Sequence, residues 1–182
     1  KAMGGTAPVA DGGRPASLAQ LENIVHNIES SGGRNLRIGS AGEAGPFQVK
    51  PSTAREIAIK LGDKSFPTNG SVEDVQAYLM GNGGKEGARY GKFYLGEQFK
   101  NFGGDPDAAL VAYNQGPGTA RKWLESGKTE LPAGGAAYLA KAHAQMGGGS
   151  SAEMVGGASG DAVAAPWLND LPYDDRVKLR DS

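Results

Sequence analysis

Apolar residues first recur at helical spacing in Leu18, Leu21, Ile24, Val25 and Ile28. Ser17 precedes them as an N-cap, and Gln20 stands three residues on, the arrangement of a capping box. Ser31-Gly32-Gly33 predicts the end of this helix near Ser30. A polar, Gly-rich loop is expected from Arg34 to Gly45. Pro51-Ser52 then opens a second helix carrying Ala54, Ile57, Ala58 and Leu61 and ending at Gly62. A short helix is predicted over residues 72–80, followed by a loop at Gly81-Asn82-Gly83-Gly84. The next helix runs through Tyr90, Phe93, Tyr94, Phe99 and Phe102, tolerates Gly91 and Gly96, and closes at Gly103-Gly104. Asp105-Pro106 is a start signal, a capping Asp before a Pro at the first helical position. That helix holds Ala108 to Tyr113 and stops before Gly116-Pro117-Gly118. A short helix with Trp123 and Leu124 and a last one over residues 136–146 complete the pattern. No set of alternating strands is legible, so the class is mainly α.

Composition divides the chain. Of its 182 residues 30 are Gly, about twice the usual share, which implies long loops or a flexible segment beside the core. Residues 1–16 are expected to form an irregular leader, residues 17–146 the folded domain, and residues 147–161 a Gly/Ser-rich linker. Residues 162–182, with Trp167, Leu168, Leu171 and Tyr173, are expected to be a tail or the start of a following segment. The chain opens at Lys1 without an initiator Met or a signal-peptide pattern and is expected to be a piece of a longer protein. A formal net charge of -1 argues against nucleic acid as a partner. No apolar run reaches the ~20 residues of a membrane span, so direct membrane insertion by this segment is not expected. Cysteine is absent, which removes thiol nucleophiles and cysteine–zinc sites. His26 and His143 are too isolated for a metal site and are expected at the surface. No cofactor or metal is expected.

Glu29 is the most informative single residue. It continues the stripe Leu21–Val25 at four-residue spacing, which places it beside apolar neighbours, and it lies in the last helical turn, at the negative end of the dipole. Both factors disfavour the ionised form and raise the pKa. A carboxylic acid still protonated near neutral pH can donate a proton to a glycosidic oxygen. A Glu near a helix end is nevertheless most often solvated surface, and helical position alone leaves that alternative open. Glu43 and Asp105 are the tempting partners for a two-carboxylate hydrolase, but Glu43, in the Gly-rich loop, reads first as a solvated loop residue. Asp105 is explained by its N-cap, Glu22 is expected at the surface, and Trp123 is expected to be packing.

Four blocks in order carry a resemblance. They are Ile28-Glu29-Ser30-Ser31-Gly32-Gly33, then Gly42-Glu43-Ala44-Gly45-Pro46-Phe47-Gln48 with Pro51-Ser52-Thr53-Ala54, then Ala109-Leu110-Val111-Ala112-Tyr113-Asn114-Gln115-Gly116-Pro117, and finally Leu131-Pro132 with Tyr138. Together they resemble the soluble, goose-type-lysozyme-like lytic transglycosylases from about Leu21 to Ala144. Phe47 stands where the family often has Met. The family's Glu-Thr pair before the tyrosine is replaced by Ala133-Gly134-Gly135-Ala136-Ala137.

The resemblance implies a lysozyme-like helical fold and cleavage of the β-1,4 bond after N-acetylmuramic acid in peptidoglycan glycan strands, with a 1,6-anhydro product. It implies Glu29 as the only catalytic carboxylate, with Ser30, Gln48, Tyr113, Asn114 and Tyr138 binding the sugar or orienting the acid. The alternatives are a goose-type muramidase that uses water, and a non-catalytic peptidoglycan-binding module. The tail resembles segments that follow transglycosylase domains in large bacteriophage virion proteins. The expected setting is therefore a phage virion acting on the periplasm or cell wall, among other virion proteins. A secreted or periplasmic bacterial enzyme is the alternative.

Overall fold

The computed structural model describes residues 9–10 and 14–147. The expected linker (Gly147 apart) and the tail lie outside the described residues. Two short strands, β1 (Val9–Ala10) and β2 (Arg14–Pro15), pair antiparallel. The expected irregular leader therefore contains a hairpin, whose two-residue strands are too short to show any alternation. Six helices follow: α1 (Leu18–Ser30), α2 (Pro51–Leu61), α3 (Val72–Asn101), α4 (Pro106–Gln115), α5 (Pro117–Glu125) and α6 (Ala133–Gly147).

The caps account for most boundaries. Ser17 and Gln20 form the reciprocal capping box of α1, and Ser71 and Asp74 form that of α3. Asp105 accepts from the Ala108 amide at the start of α4. Gly62 ends α2 in the left-handed conformation. α6 begins three residues earlier than expected. Pro132 O accepts from Ala136 N at 2.9 Å, so the helix runs through Gly134-Gly135 rather than starting after them.

α4 is the centre. Residues Ala108 to Ala112 are all buried, and α4 packs against α1, α3, α5 and α6. A helix that is apolar on all sides belongs in a core. Leu21 and Val25 of α1 are fully buried, each worth about 2 kcal/mol of transfer free energy.

α3 is kinked. Gly81 to Gly84 leave helical geometry, as the glycine run predicted. One polar cluster brackets the kink. Asp63, just past α2, accepts from Tyr78 Oη at 2.8 Å before the kink and from Tyr90 Oη at 2.9 Å after it. Arg89 donates to the same carboxylate and to Glu86, at 2.9 Å in the latter case. Further on, Gly91 is not merely tolerated. A Cβ there would lie 2.2 Å from Phe47 Cβ, so the bare glycine lets α3 press against a fully buried ring.

Two expectations about polar residues are corrected here. Glu22 is 8% exposed rather than at the surface, because Lys92 of α3 reaches it with a 3.7 Å Nζ–Oε2 separation. Both histidines are half-buried. His26 stacks on Phe47 with ring centroids 5.2 Å apart, and His143 Nε2 lies 2.7 Å from Asp107 Oδ1.

Candidate active site

The end of α1 is closed tightly. Ser31 takes the left-handed conformation and its amide donates to Asn27 O at 3.0 Å. Ser30 is 1% exposed; its hydroxyl donates to His26 O at 3.1 Å and accepts from Gly33 N at 2.9 Å. Ser30 thus lines no part of the groove described below. It holds the turn that presents Glu29.

The expected Gly-rich loop ends in a tight hairpin. Ala44 and Val49 exchange backbone hydrogen bonds of 3.0 Å in both directions. Gln48 at its tip has a φ of 48°, and its Nε2 donates to Arg37 O at 2.8 Å and to Gly45 O at 3.1 Å. The same hairpin carries Phe47, whose carbonyl accepts from Tyr113 Oη at 2.6 Å. Tyr113 also packs on Tyr94, ring centroids 5.5 Å apart.

These pieces enclose a groove of about 510 Å³. Glu29 lies on its wall, with Gln48, Tyr113 and Asn114 around it. Residues that sequence reasoning did not assign to a site also line it, among them Arg37, Glu43, Lys50, Tyr94 and Gln115. Ile38, 56% exposed, adds an apolar edge. Gln115 Nε2 donates to Asn114 Oδ1, which leaves the Asn114 amino group and the Gln115 carbonyl oxygen as an adjacent donor and acceptor. Gly135 makes room for this arrangement, since a Cβ there would lie 3.0 Å from Gln115 Cγ. Chain position gave no signal for Arg37 and left Glu43 as a loop carboxylate, because only the folding of their loop over the end of α1 brings them in.

Burial pushes the Glu29 carboxyl above the usual range. The Tyr138 hydroxyl, the Arg37 cation and the Lys141 cation oppose that shift, and the Glu43 carboxylate adds to it. Tyr138, on α6, is buried as expected. Its hydroxyl makes no closed hydrogen bond, and the carboxyl it interacts with is that of Glu29. Among the described residues no group of His, Asp or Glu side chains could hold a metal ion, and no helix is long and apolar enough to cross a membrane.

An acid held in a desolvated helix end, on the wall of an open groove, is suited to proton transfer onto an extended polymer. A family model described as the transglycosylase SLT domain matches residues 14–133. The chain belongs to this family, and is a peptidoglycan lytic transglycosylase domain, a lyase. The matched span includes Glu29, Gln48, Tyr113 and Asn114 and stops short of Tyr138. No solved structure matches the chain.

Proposed function

We propose that Glu29 is both acid and base in cleavage of the β-1,4 bond between N-acetylmuramic acid and N-acetylglucosamine, and that the product is the 1,6-anhydro sugar. The observation that carries this is a half-buried carboxyl on the groove wall, with its pKa raised by burial. Glu29 gives its proton to the glycosidic oxygen, which leaves with the bonding electron pair as positive charge develops on the muramic ring. The 6-hydroxyl of the same ring then closes onto the anomeric carbon and returns its proton to Glu29. No water is consumed, and the nucleophile is already in place. The Asn114 amino group and Gln115 carbonyl match the two polar atoms of an acetamido group. Gln48 orders the hairpin and offers its carbonyl oxygen, and Tyr113, its hydroxyl tied to Phe47 O, acts as a wall. Mass spectrometry of muropeptides released from purified sacculi tests the product. Anhydro ends, lighter by one water, are expected; hydrated ends would assign a muramidase, and no release would assign a binding module.

Tyr138 acts on Glu29 from behind. Removing its hydroxyl as Tyr138→Phe takes away an interaction that lowers the Glu29 pKa. The alkaline limb of the pH–rate profile is then expected to move upward. The rate is expected to fall about tenfold, since the hydroxyl closes onto the Glu29 carboxylate once the proton has left, and a hydrogen bond to a charged group is worth about 1.5 kcal/mol. Stability should hold or rise, because the lost hydroxyl was buried without a closed bond. An unchanged rate and profile would make Tyr138 a packing residue.

The setting we propose is a bacteriophage virion, among other virion proteins, with the domain opening the wall locally during genome entry. Its support is the Gly/Ser-rich stretch followed by Leu171-Pro172-Tyr173-Asp174-Asp175-Arg176, which resembles segments beyond transglycosylase domains in virion proteins. Peptides of this chain in purified virions are the expected result. Their recovery only from a bacterial periplasmic or secreted fraction would favour the alternative.

A further inference from the structure

We propose that Glu43 is the second acidic group of the groove, a positioning residue that acts on Glu29 from the same groove wall and faces the positive charge that develops on the sugar. The inference rests on Glu29 as the acid. By chain position Glu43 reads as a solvated loop residue, yet it is half-buried and lines the same groove as Glu29. Its place is built rather than incidental. It directly precedes the Ala44–Val49 hairpin, and its carbonyl accepts from Gly39 N at 2.7 Å. Its Oε2 accepts from Ala41 N at 2.9 Å, which folds the carboxylate back over its own turn. Gly39 leaves the space this requires: a Cβ there would stand 2.4 Å from Glu43 Oε2 and 2.8 Å from Gln48 Oε1. The glycine therefore lets the acid and the hairpin amide come together at the groove wall.

The charges around Glu29 show what such a group does. Arg37 and Lys141 both favour the ionised form of Glu29, as does the Tyr138 hydroxyl; Tyr113 also interacts with it, and Lys50 and Tyr94 line the same groove. Glu43 is a like charge and acts against the two cations. During cleavage the C1–O4 electron pair and the Glu29 proton go to the leaving oxygen, and C1 becomes electron-deficient. The ring's own 6-hydroxyl forms the C1–O6 bond and its proton goes back to Glu29. Glu43 exchanges no proton and forms no bond; a fixed negative charge beside the ring stabilises the transition state.

The test compares Glu43→Gln and Glu43→Asp with Glu29→Gln, in the full chain, on soluble glycan strands. Glutamine can still accept from Ala41 N, so the turn is kept. Glu43→Gln should lower kcat about tenfold or more, change KM little, and move the alkaline limb to lower pH. Glu43→Asp should recover part of the rate. Carboxyl NMR titration should show a lower Glu29 pKa in Glu43→Gln, a readout that needs no turnover. Gly39→Ala, which displaces the carboxylate by its Cβ, should move the profile in the same direction. A Glu43→Gln enzyme with wild-type rate, pH profile and Glu29 titration would overturn the inference while Glu29→Gln stays inactive. An active Glu29→Gln would instead overturn the mechanism beneath it.

Discussion

Glu29→Gln is expected to abolish wall cleavage and, at pH above the folded pKa of Glu29, to raise the melting temperature. The substitution keeps the shape and removes the proton donor. Loss of a general acid costs ~10²–10⁴-fold in rate. The stability effect follows from the direction of the pKa shift. Burial holds the folded-state value above the ordinary 4.5, against the opposing effects of Tyr138, Arg37 and Lys141. The folded state therefore binds the Glu29 proton more tightly than the unfolded state does. The stabilisation from that proton is complete below the unfolded value and is lost as pH rises through the folded one. Once the pH passes the folded value, wild type carries a carboxylate in a site that favours the acid, and glutamine relieves it. The gain in melting temperature should shrink as the pH is lowered toward 4. Turbidity loss of purified sacculi and thermal melts at two pH values measure both effects. Activity within threefold of wild type with an unchanged circular dichroism spectrum would remove Glu29 from its role.

Asp63→Asn should destabilise the protein strongly, and should leave the turnover of folded molecules unaltered. Burial alone would raise the Asp63 pKa, but hydrogen bonds from Arg89, Tyr78, Tyr90 and Ser65 outweigh it and hold the carboxyl well below its usual value. Arg89 is only 20% exposed at its side chain and would keep Glu86 as its remaining carboxylate. Breaking a largely buried pair from one side costs about 3 kcal/mol. The loss should fall on the kink of α3, since Asp63 is what ties Tyr78 on one side of it to Tyr90 on the other. The sign in pH is opposite to that of Glu29. A depressed folded pKa contributes stability that is present above the unfolded value of 3.8 and is lost as pH falls through the folded one. Urea melts should therefore show the full gap between wild type and variant at neutral pH and a narrower one in strong acid. None of the cluster lines the groove, so kcat for the folded fraction should stay close to wild type. A variant as stable as wild type at neutral pH would show that the cluster adds nothing to stability.

Features that depend on near neighbours along the chain were legible before any fold was known. Ser17 with Gln20, Pro51, Asp105-Pro106 and Gly62 mark helix ends because a cap satisfies orphan amides within one turn, and such signals need no distant partner. The glycine run at 81–84 announced the break in α3 for the same reason. The ordered blocks around Glu29, Gln48, Tyr113 and Asn114 were also legible, and the structure brings those four to one groove. Tertiary structure decided where polar side chains point. Ser30 turns inward to close α1, Glu22 is buried because Lys92 from α3 meets it, and Arg37 and Glu43 become groove residues because their loop folds over a helix end. Chain spacing carries no trace of these outcomes. A charged residue is buried or exposed according to the partner that reaches it, and each of these partners comes from a segment that local periodicity does not describe.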